Sequence, residues 1–273
     1  MLMKFIRIVV FAVTAFTIIV FGIVFAREKI LADKTIPVFK VEDGVLEVSS
    51  SATDEDLLKG VTVIDGKDGD ITDRVIVTSI GKFTDVGYCK VTYAVSDSDN
   101  HVVLAHRQIH YNDYTSPKFT MNAPLVFSIY EDVNVVGIIG ATDCLDGDIS
   151  NNVIIYSPDY ESGIEGKYSI QATVMNSKGD SSQITLPLIV EHSSNTPAEI
   201  ELNTYLIYSK KGEMPDFKSY IKNTYDCYGV SSKFDITIKT NFNANIEGNY
   251  YVDYYGTDAI GHAAHTRLIV VVE

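Results

Sequence analysis

Gly166-Lys167-Tyr168-Ser169-Ile170-Gln171-Ala172 runs on into Thr173-Val174, and its apolar residues recur at every second position. A period of two, where a helix would need 3.6, describes a half-buried antiparallel strand. Tyr168, Ile170, Ala172 and Val174 then face a core, and Ser169, Gln171 and Thr173 face away from it. The same glycine-led strand is written twice more, as Gly87-Tyr88-Cys89-Lys90-Val91-Thr92-Tyr93 and as Gly248-Asn249-Tyr250-Tyr251-Val252-Asp253-Tyr254. Ahead of the first two stands an acidic turn, Asp65-Gly66-Lys67-Asp68-Gly69-Asp70-Ile71 and Asp143-Cys144-Leu145-Asp146-Gly147-Asp148-Ile149. Ahead of the third only Asp226-Cys227-Tyr228-Gly229-Val230 is left. Pro37, Pro117 and Pro197 open the copies at intervals of 80 residues.

A repeat of that length is a small domain, not a helical hairpin. Each copy continues into a second turn (Asp97 to Asn100, Asn176 to Gly179, Asp258 to Gly261) and closes on an apolar strand. Short β-rich runs with Asp, Gly, Asn and Ser at the breaks describe a sandwich of two sheets. Helix is confined to a turn or two at residues 54–59, with a counterpart at residues 215–221. The fold class is therefore all-β: three tandem β-sandwich domains at residues 36–112, 116–192 and 196–273, after an N-terminal transmembrane helix. The joins at residues 112–116 and 191–196 are short and polar, which favours a rod over a flexible string.

The Asp-Gly-Asp-Ile turn, the Gly-x-Tyr-x-Val-x-Tyr strand and the Asp-x-x-Gly-Asn turn together resemble the bacterial surface Ig-like domains named after a pesticidal crystal protein. The resemblance covers Pro37 to Glu273. The first copy departs from the pattern at Cys89 and Asp99, the second at Ala172 and Asn176, and the third lacks the acidic turn. The resemblance implies Ig-like sandwiches on a bacterial cell surface that space or bind and do not catalyse. It carries over no catalytic residue.

Residues 8–26 are almost wholly apolar, and 19 such residues are long enough to cross a bilayer as a helix. Two readings stand: an uncleaved signal anchor, or a signal peptide cut after Ala26. The apolar run is longer than the usual signal-peptide core, which favours the anchor. Residues 1–7 then form a short cytoplasmic tail and residues 27–35 a linker to an extracellular part. The charges at Lys4 and Arg7 before the span, and at Arg27, Lys29 and Lys34 after it, do not set the orientation. The extracellular placement rests on the resemblance. A net charge of −14 argues against a nucleic-acid binder, which needs clustered Lys and Arg.

Three groups of side chains are candidates for chemistry. The acidic turns place Asp65, Asp68 and Asp70, and again Asp143, Asp146 and Asp148, close enough to offer oxygens to calcium. The competing reading is turn chemistry, with Asp accepting backbone N–H bonds, Gly69 and Gly147 at positive φ, and Ile71 and Ile149 plugging the core. That reading needs no cofactor. The third copy holds nine of the seventeen tyrosines, and alternation puts Tyr251, Asp253 and Tyr255 on its outer face. Tyrosine offers apolar area with a polar tip, suited to an envelope glycan or a surface protein. The competing reading is cross-strand packing, or cover by another segment. The three cysteines, Cys89, Cys144 and Cys227, fall one per copy and read as small buried residues, with a Cys144–Cys227 link as the alternative. His106, His110, His262 and His265 read as surface histidines. No serine-hydrolase elbow, phosphate loop or zinc-protease motif is present.

Overall fold

The computed structural model describes residues 2–31, 34–157, 159–192 and 197–273. Residues 193–196 of the second join, and the linker residues Ala32 and Asp33, lie outside the described residues, as do the side chains of Lys4, Glu28 and Lys29. Helix α1 (Leu2–Leu31) contains an apolar span, Phe5–Arg27, of 23 residues, none of it buried against the rest of the chain. The rest is strand and turn. It falls into two compact units, residues 1–84 with 88–111, and residues 85–87 with 112–273.

The first unit holds module one. Its strands are β1 (Val38–Val41), β2 (Leu46–Val48), β3 (Val61–Asp65), β4 (Gly69–Asp70), β5 (Ile76–Asp85), β6 (Tyr88–Ser96) and β7 (Val102–Tyr111). They form two sheets, ordered β1-β3-β4 and β2-β7-β6-β5. Strand β2 runs parallel to the last strand and β6 antiparallel to it, the Ig-like arrangement that leaves one long hairpin as the spine. A short helix, α2 (Asp54–Leu57), is closed by a capping box between Thr53 and Asp56. Tyr93 is buried and its hydroxyl donates to the Leu57 carbonyl at 2.8 Å, which ties the helix to the core.

The second unit holds modules two and three. Module two runs through β8 (Lys118–Met121), β9 (Val126–Ser128), β10 (Ile139–Asp143), β11 (Gly147–Asp148), β12 (Ile154–Tyr156), β13 (Gly166–Met175) and β14 (Ser181–Glu191). Module three runs through β15 (Glu199–Leu202), β16 (Leu206–Ser209), β17 (Ile221–Tyr225), β18 (Ile236–Thr240), β19 (Gly248–Thr257) and β20 (Ala263–Val272). The sheets repeat the plan of module one: β11-β10-β8 with β12-β13-β14-β9, then β15-β17 with β16-β20-β19-β18. The expected alternation holds in β13, where Ile170, Ala172 and Val174 are buried. The chain is thus all-β with Ig-like sandwich topology after an apolar helix.

Modules two and three do not follow one another end to end, as the short join led us to expect. They lie side by side and run in opposite directions. Lys118, at the start of module two, pairs with Glu273 beyond the last strand of module three. Tyr208 accepts a hydrogen bond from the Phe119 N–H at 2.8 Å, and Asn249 donates to the Thr185 carbonyl at 3.1 Å. One continuous apolar cluster runs from Phe119 through Leu186 to Leu268 and Val270. The physical reason is visible in β14 and β20. A sandwich strand buries alternate residues, yet Leu188, Ile189 and Val190 are all buried, and so are Leu268, Ile269 and Val270. Strands buried on both faces read as continuous apolar runs. The residue on the outer face at each position needs cover, and the neighbouring module supplies it.

Calorimetry of the full chain in detergent should therefore show modules two and three melting in one transition. Ile189→Ser should lower that transition, at a cost of about 2 kcal/mol for uncovering one large aliphatic side chain. Separate transitions for the two modules would contradict the shared core.

Candidate functional site

The acidic turns are spent on their own backbone. Asp65 Oδ1 accepts from the N–H groups of Lys67 and Asp68 at 2.8 and 2.9 Å. Asp143 Oδ1 does the same with Leu145 and Asp146 at 2.9 and 3.0 Å. Asp68 and Asp146 reach across to the next turn and accept from Ser98 and Ser177, through both the N–H and the hydroxyl of each. Asp70 and Asp148 accept from the N–H of Thr72 and of Ser150. Serine donors hold Asp68 below the usual carboxylate range, and Thr72 and Ser150 do so for Asp70 and Asp148. Gly69 and Gly147 take φ of 75° and 72°, and Ile71 and Ile149 are buried. Asp65, Asp70, Asp143 and Asp148 thus close their own turns, and Asp68 and Asp146 tie each of these turns to the next, with their oxygens aimed at N–H and O–H donors.

The outer face of module three is built by the β19–β20 hairpin. Register pairs Tyr251 with Ile269, Asp253 with Arg267 and Tyr255 with His265. Alternation does place Tyr251, Asp253 and Tyr255 on one side of the sheet, but that side is not free. Asp253 is only 5% exposed, a correction to its expected place in solvent. It holds Arg267, also buried, through Nε at 2.6 Å and Nη2 at 2.8 Å. The Arg267 guanidinium lies 4.1 Å from the centre of the Tyr251 ring, a cation–π contact. His265 bonds to Asp253 through Nε2 at 3.2 Å and to Glu191 of module two through Nδ1 at 2.9 Å. Tyr255 stacks on His265 at 4.3 Å, with the Lys239 ammonium 5.2 Å from its ring centre. Tyr255 alone of the three keeps 36% of its surface in solvent. Around it opens a shallow cleft of about 320 Å³, with Lys167, Glu191, Lys239 and Thr240 on its walls.

Electrostatics bind this group together. Burial opposes charge on Asp253, and its bonds to His265 and Arg267 outweigh that and hold its carboxyl below the usual range. Burial likewise opposes protonation of His265, and its bonds to Asp253 and Glu191 outweigh that and push its pKa up. A buried pair of this kind costs about 3–5 kcal/mol to break from one side, because the partner is left charged and unpaired. The residues that sequence reading missed are His265, Arg267, Lys239 and Glu191. The first two were within reach: counting outward from the Asp258 to Gly261 turn sets Asp253 against Arg267 and Tyr255 against His265. Glu191 was not, since it arrives from another module.

Other expectations need correction. His265 is buried, not a surface histidine. Of the cysteines only Cys89 is buried; Cys144 is exposed, with its thiol 3.4 Å from the Thr115 carbonyl, and Cys227 is half-buried. All three are free thiols. A stack of tyrosine on histidine also occurs in module one, where Tyr88 lies 4.0 Å from His110.

No family model matches the chain, and no curated protein matches it in sequence. Similar solved structures include the CBM51-2 domain in complex with GlcNAc and INT domains of Clostridium perfringens ZmpB. It is 22% identical, over 54% of this chain and 26% of that one, with a TM-score of 0.23. The extracellular domain of Protocadherin GammaB4 is 11% identical over 88% of this chain and 51% of that one, with a TM-score of 0.22. Drosophila N-cadherin EC1-4 is 12% identical over 89% and 76%, with a TM-score of 0.24. The chain therefore spans only 26% and 51% of the first two of these. At such scores the likeness carries no functional argument, and the fold rests on the strand order and register given above.

The pH dependence follows from His265. Its pKa is raised above the ordinary value near 6.5, so the stability it contributes is complete below about pH 6.5 and is lost as pH rises through the folded value. Asp253 acts in the opposite sense and outside that window, losing its contribution only as pH falls through a value below the ordinary carboxylate range. The melting temperature of the second unit should fall as pH rises above about 6.5. His265→Gln should lower the acid-side value and flatten that slope. An unchanged slope in the variant would contradict the network.

Proposed function

We propose that this chain is a non-enzymatic, membrane-anchored interaction protein of a bacterial cell surface. Its Ig-like modules space and bind, and the binding face lies at the Tyr255 cleft of module three. The observation that carries the anchoring is the apolar helix Phe5–Arg27, 23 residues with no part buried against the chain. A core helix of a soluble protein hides its apolar surface, whereas a span of this length is at home in a bilayer. The length of the apolar span, greater than the usual signal-peptide core, supports a retained anchor over cleavage after Ala26.

The cleft supports the binding half of this reading. It offers the edge of an aromatic ring, two ammonium groups (Lys167 and Lys239), a carboxylate (Glu191) and a hydroxyl (Thr240) on rigid strands. An aromatic edge framed by polar donors and acceptors suits the alternating apolar and hydroxylated surfaces of a glycan. The surrounding network fixes the ring in place, so little side-chain freedom is lost on contact. Against catalysis stand the Ser98 and Ser177 hydroxyls, each given over to an aspartate that ties two turns together. Such groups are poor nucleophiles.

Binding of the full chain in detergent micelles to purified envelope glycan should fall at least fivefold in a Tyr255→Ser, Lys239→Ser double variant. Lys239 is exposed, but Tyr255 keeps only 36% of its surface in solvent and stacks on His265, so the melting temperature should fall by a few degrees while the cooperative transition is kept. Unchanged binding to glycan and to whole envelopes would reject the face. Proteolysis of intact cells that left the sandwiches whole and antibody-inaccessible would reject the surface location.

A further inference from the structure

Each module closes one end with a pair of turns, and in module three that pair gathers three different metal-ligating groups. The turn after β19 is built like its counterpart after β6. Asp97 Oδ1 accepts from the N–H groups of Asp99 and His101 at 2.9 and 2.7 Å. Asp258 Oδ1 accepts from those of Ile260 and His262 at 2.9 and 2.8 Å. Both loops present a histidine four residues after the aspartate, yet the two histidines are used differently. His101 Nδ1 closes on Asp97 Oδ2 at 2.6 Å, an ordinary hydrogen bond. His262 Nδ1 stays 3.4 Å from Asp258 Oδ2 and, although buried, has no hydrogen-bond partner. The other difference is the facing turn. In module one it contains no cysteine, and in module three it brings Cys227.

The ligand atoms of Cys227, Asp258 and His262 all lie within 4.8 Å of one another. Two donors bound to zinc at about 2.0–2.1 Å and at the tetrahedral angle stand about 3.3–3.4 Å apart. That is the 3.4 Å observed between His262 Nδ1 and Asp258 Oδ2, too long and misdirected for a good hydrogen bond and right for a shared ion. A thiolate at about 2.3 Å completes three corners of the tetrahedron. Asp258 is preorganised for the role: its Oδ1 is held by two N–H groups, and its Oδ2 is oriented by the Cys227 N–H at 3.2 Å. This is the outer support that metal ligands usually have.

We propose that Cys227, Asp258 and His262 bind a zinc-class divalent cation, with a fourth position left to water. The donor set selects the metal. One sulfur, one imidazole nitrogen and one carboxylate oxygen suit zinc and its neighbours, whereas calcium and magnesium want oxygen alone. A nucleophilic cysteine is the competing use of the same trio. It fits less well, because Cys227 lies beside two carboxylates, Asp258 and Asp226, which disfavour the thiolate. A divalent cation removes that penalty and displaces the thiol proton to solvent. Modules one and two lack the set: module one has no cysteine in its turn, and in module two Asn176 and Asp180 stand where Asp258 and His262 do.

Cobalt(II) is the probe, because a thiolate ligand gives it a charge-transfer band in the near ultraviolet. The tag-free full chain in micelles, reduced and freed of metal, should develop that band to saturation at one equivalent, and one equivalent of zinc should remove it. Zinc should also raise the melting temperature of the second unit. Cys227→Ser should abolish the band, His262→Ala should weaken cobalt binding by more than about tenfold, and Cys144→Ser should change nothing. Melting in chelator checks that the variants fold: wild type and Cys227→Ser should coincide there. A wild-type chain without a thiolate band, or a band that survives Cys227→Ser, overturns the site whatever the variants' stability.

Discussion

A sheet in a two-layer sandwich gives one face to the core and normally gives the other to water. In module three the second face is apolar over β20 and β16, where Ile269, Val271 and Tyr208 belong to the same cluster as the core of module two. Covering that face is the constraint on which the second unit depends. Module two meets it by lying alongside, with β8 and β14 against the outer strands, and the chain reverses direction between the two modules to allow it. The apolar area removed from water supplies the drive, and the hydrogen bonds at Phe119 and Asn249 satisfy backbone groups that the contact dehydrates.

The polar network follows from the same cover. Arg267 and Asp253 on an open sheet would make an exposed pair worth little. Beneath the edge of module two they are buried, and their bonds must be complete. Glu191, the last residue of β14, completes them by accepting from His265. The stack of Tyr255 on His265 then fixes the ring that borders the open cleft. One junction thus joins the modules and fixes the Tyr255 ring at the border of the cleft.

Much of this was legible in the sequence. Alternation in β13 and β19, the prolines and the turn residues gave the strands, the module count and the Asp-rich turns, because those depend on local spacing. Alternation also gave the correct face for Tyr251, Asp253 and Tyr255. It could not give their burial, which depends on a segment about sixty residues earlier. The signal that would have warned of it was present. Leu186 to Val190 and Leu268 to Val272 are continuous apolar runs, whereas His106 to Tyr111 of the first copy alternates with polar residues. A half-exposed strand has no use for such a run. A short join implies a stiff spacer, but stiffness does not choose between continuing and turning back. Residue type alone places Cys144 in the core, whereas its turn lies at the surface.

Side-by-side packing makes a contact that tandem, end-to-end modules exclude: Lys118 against Glu273, which are 155 residues apart in sequence. A zero-length carbodiimide cross-link on the monomeric full chain, mapped by mass spectrometry, reads it directly. The pair Lys222–Glu201 within module three, at 2.7 Å, serves as the internal control. Opposed modules give an intramolecular Lys118–Glu273 amide at a yield comparable to the control. Formation of the control amide without the Lys118–Glu273 amide would contradict the shared core.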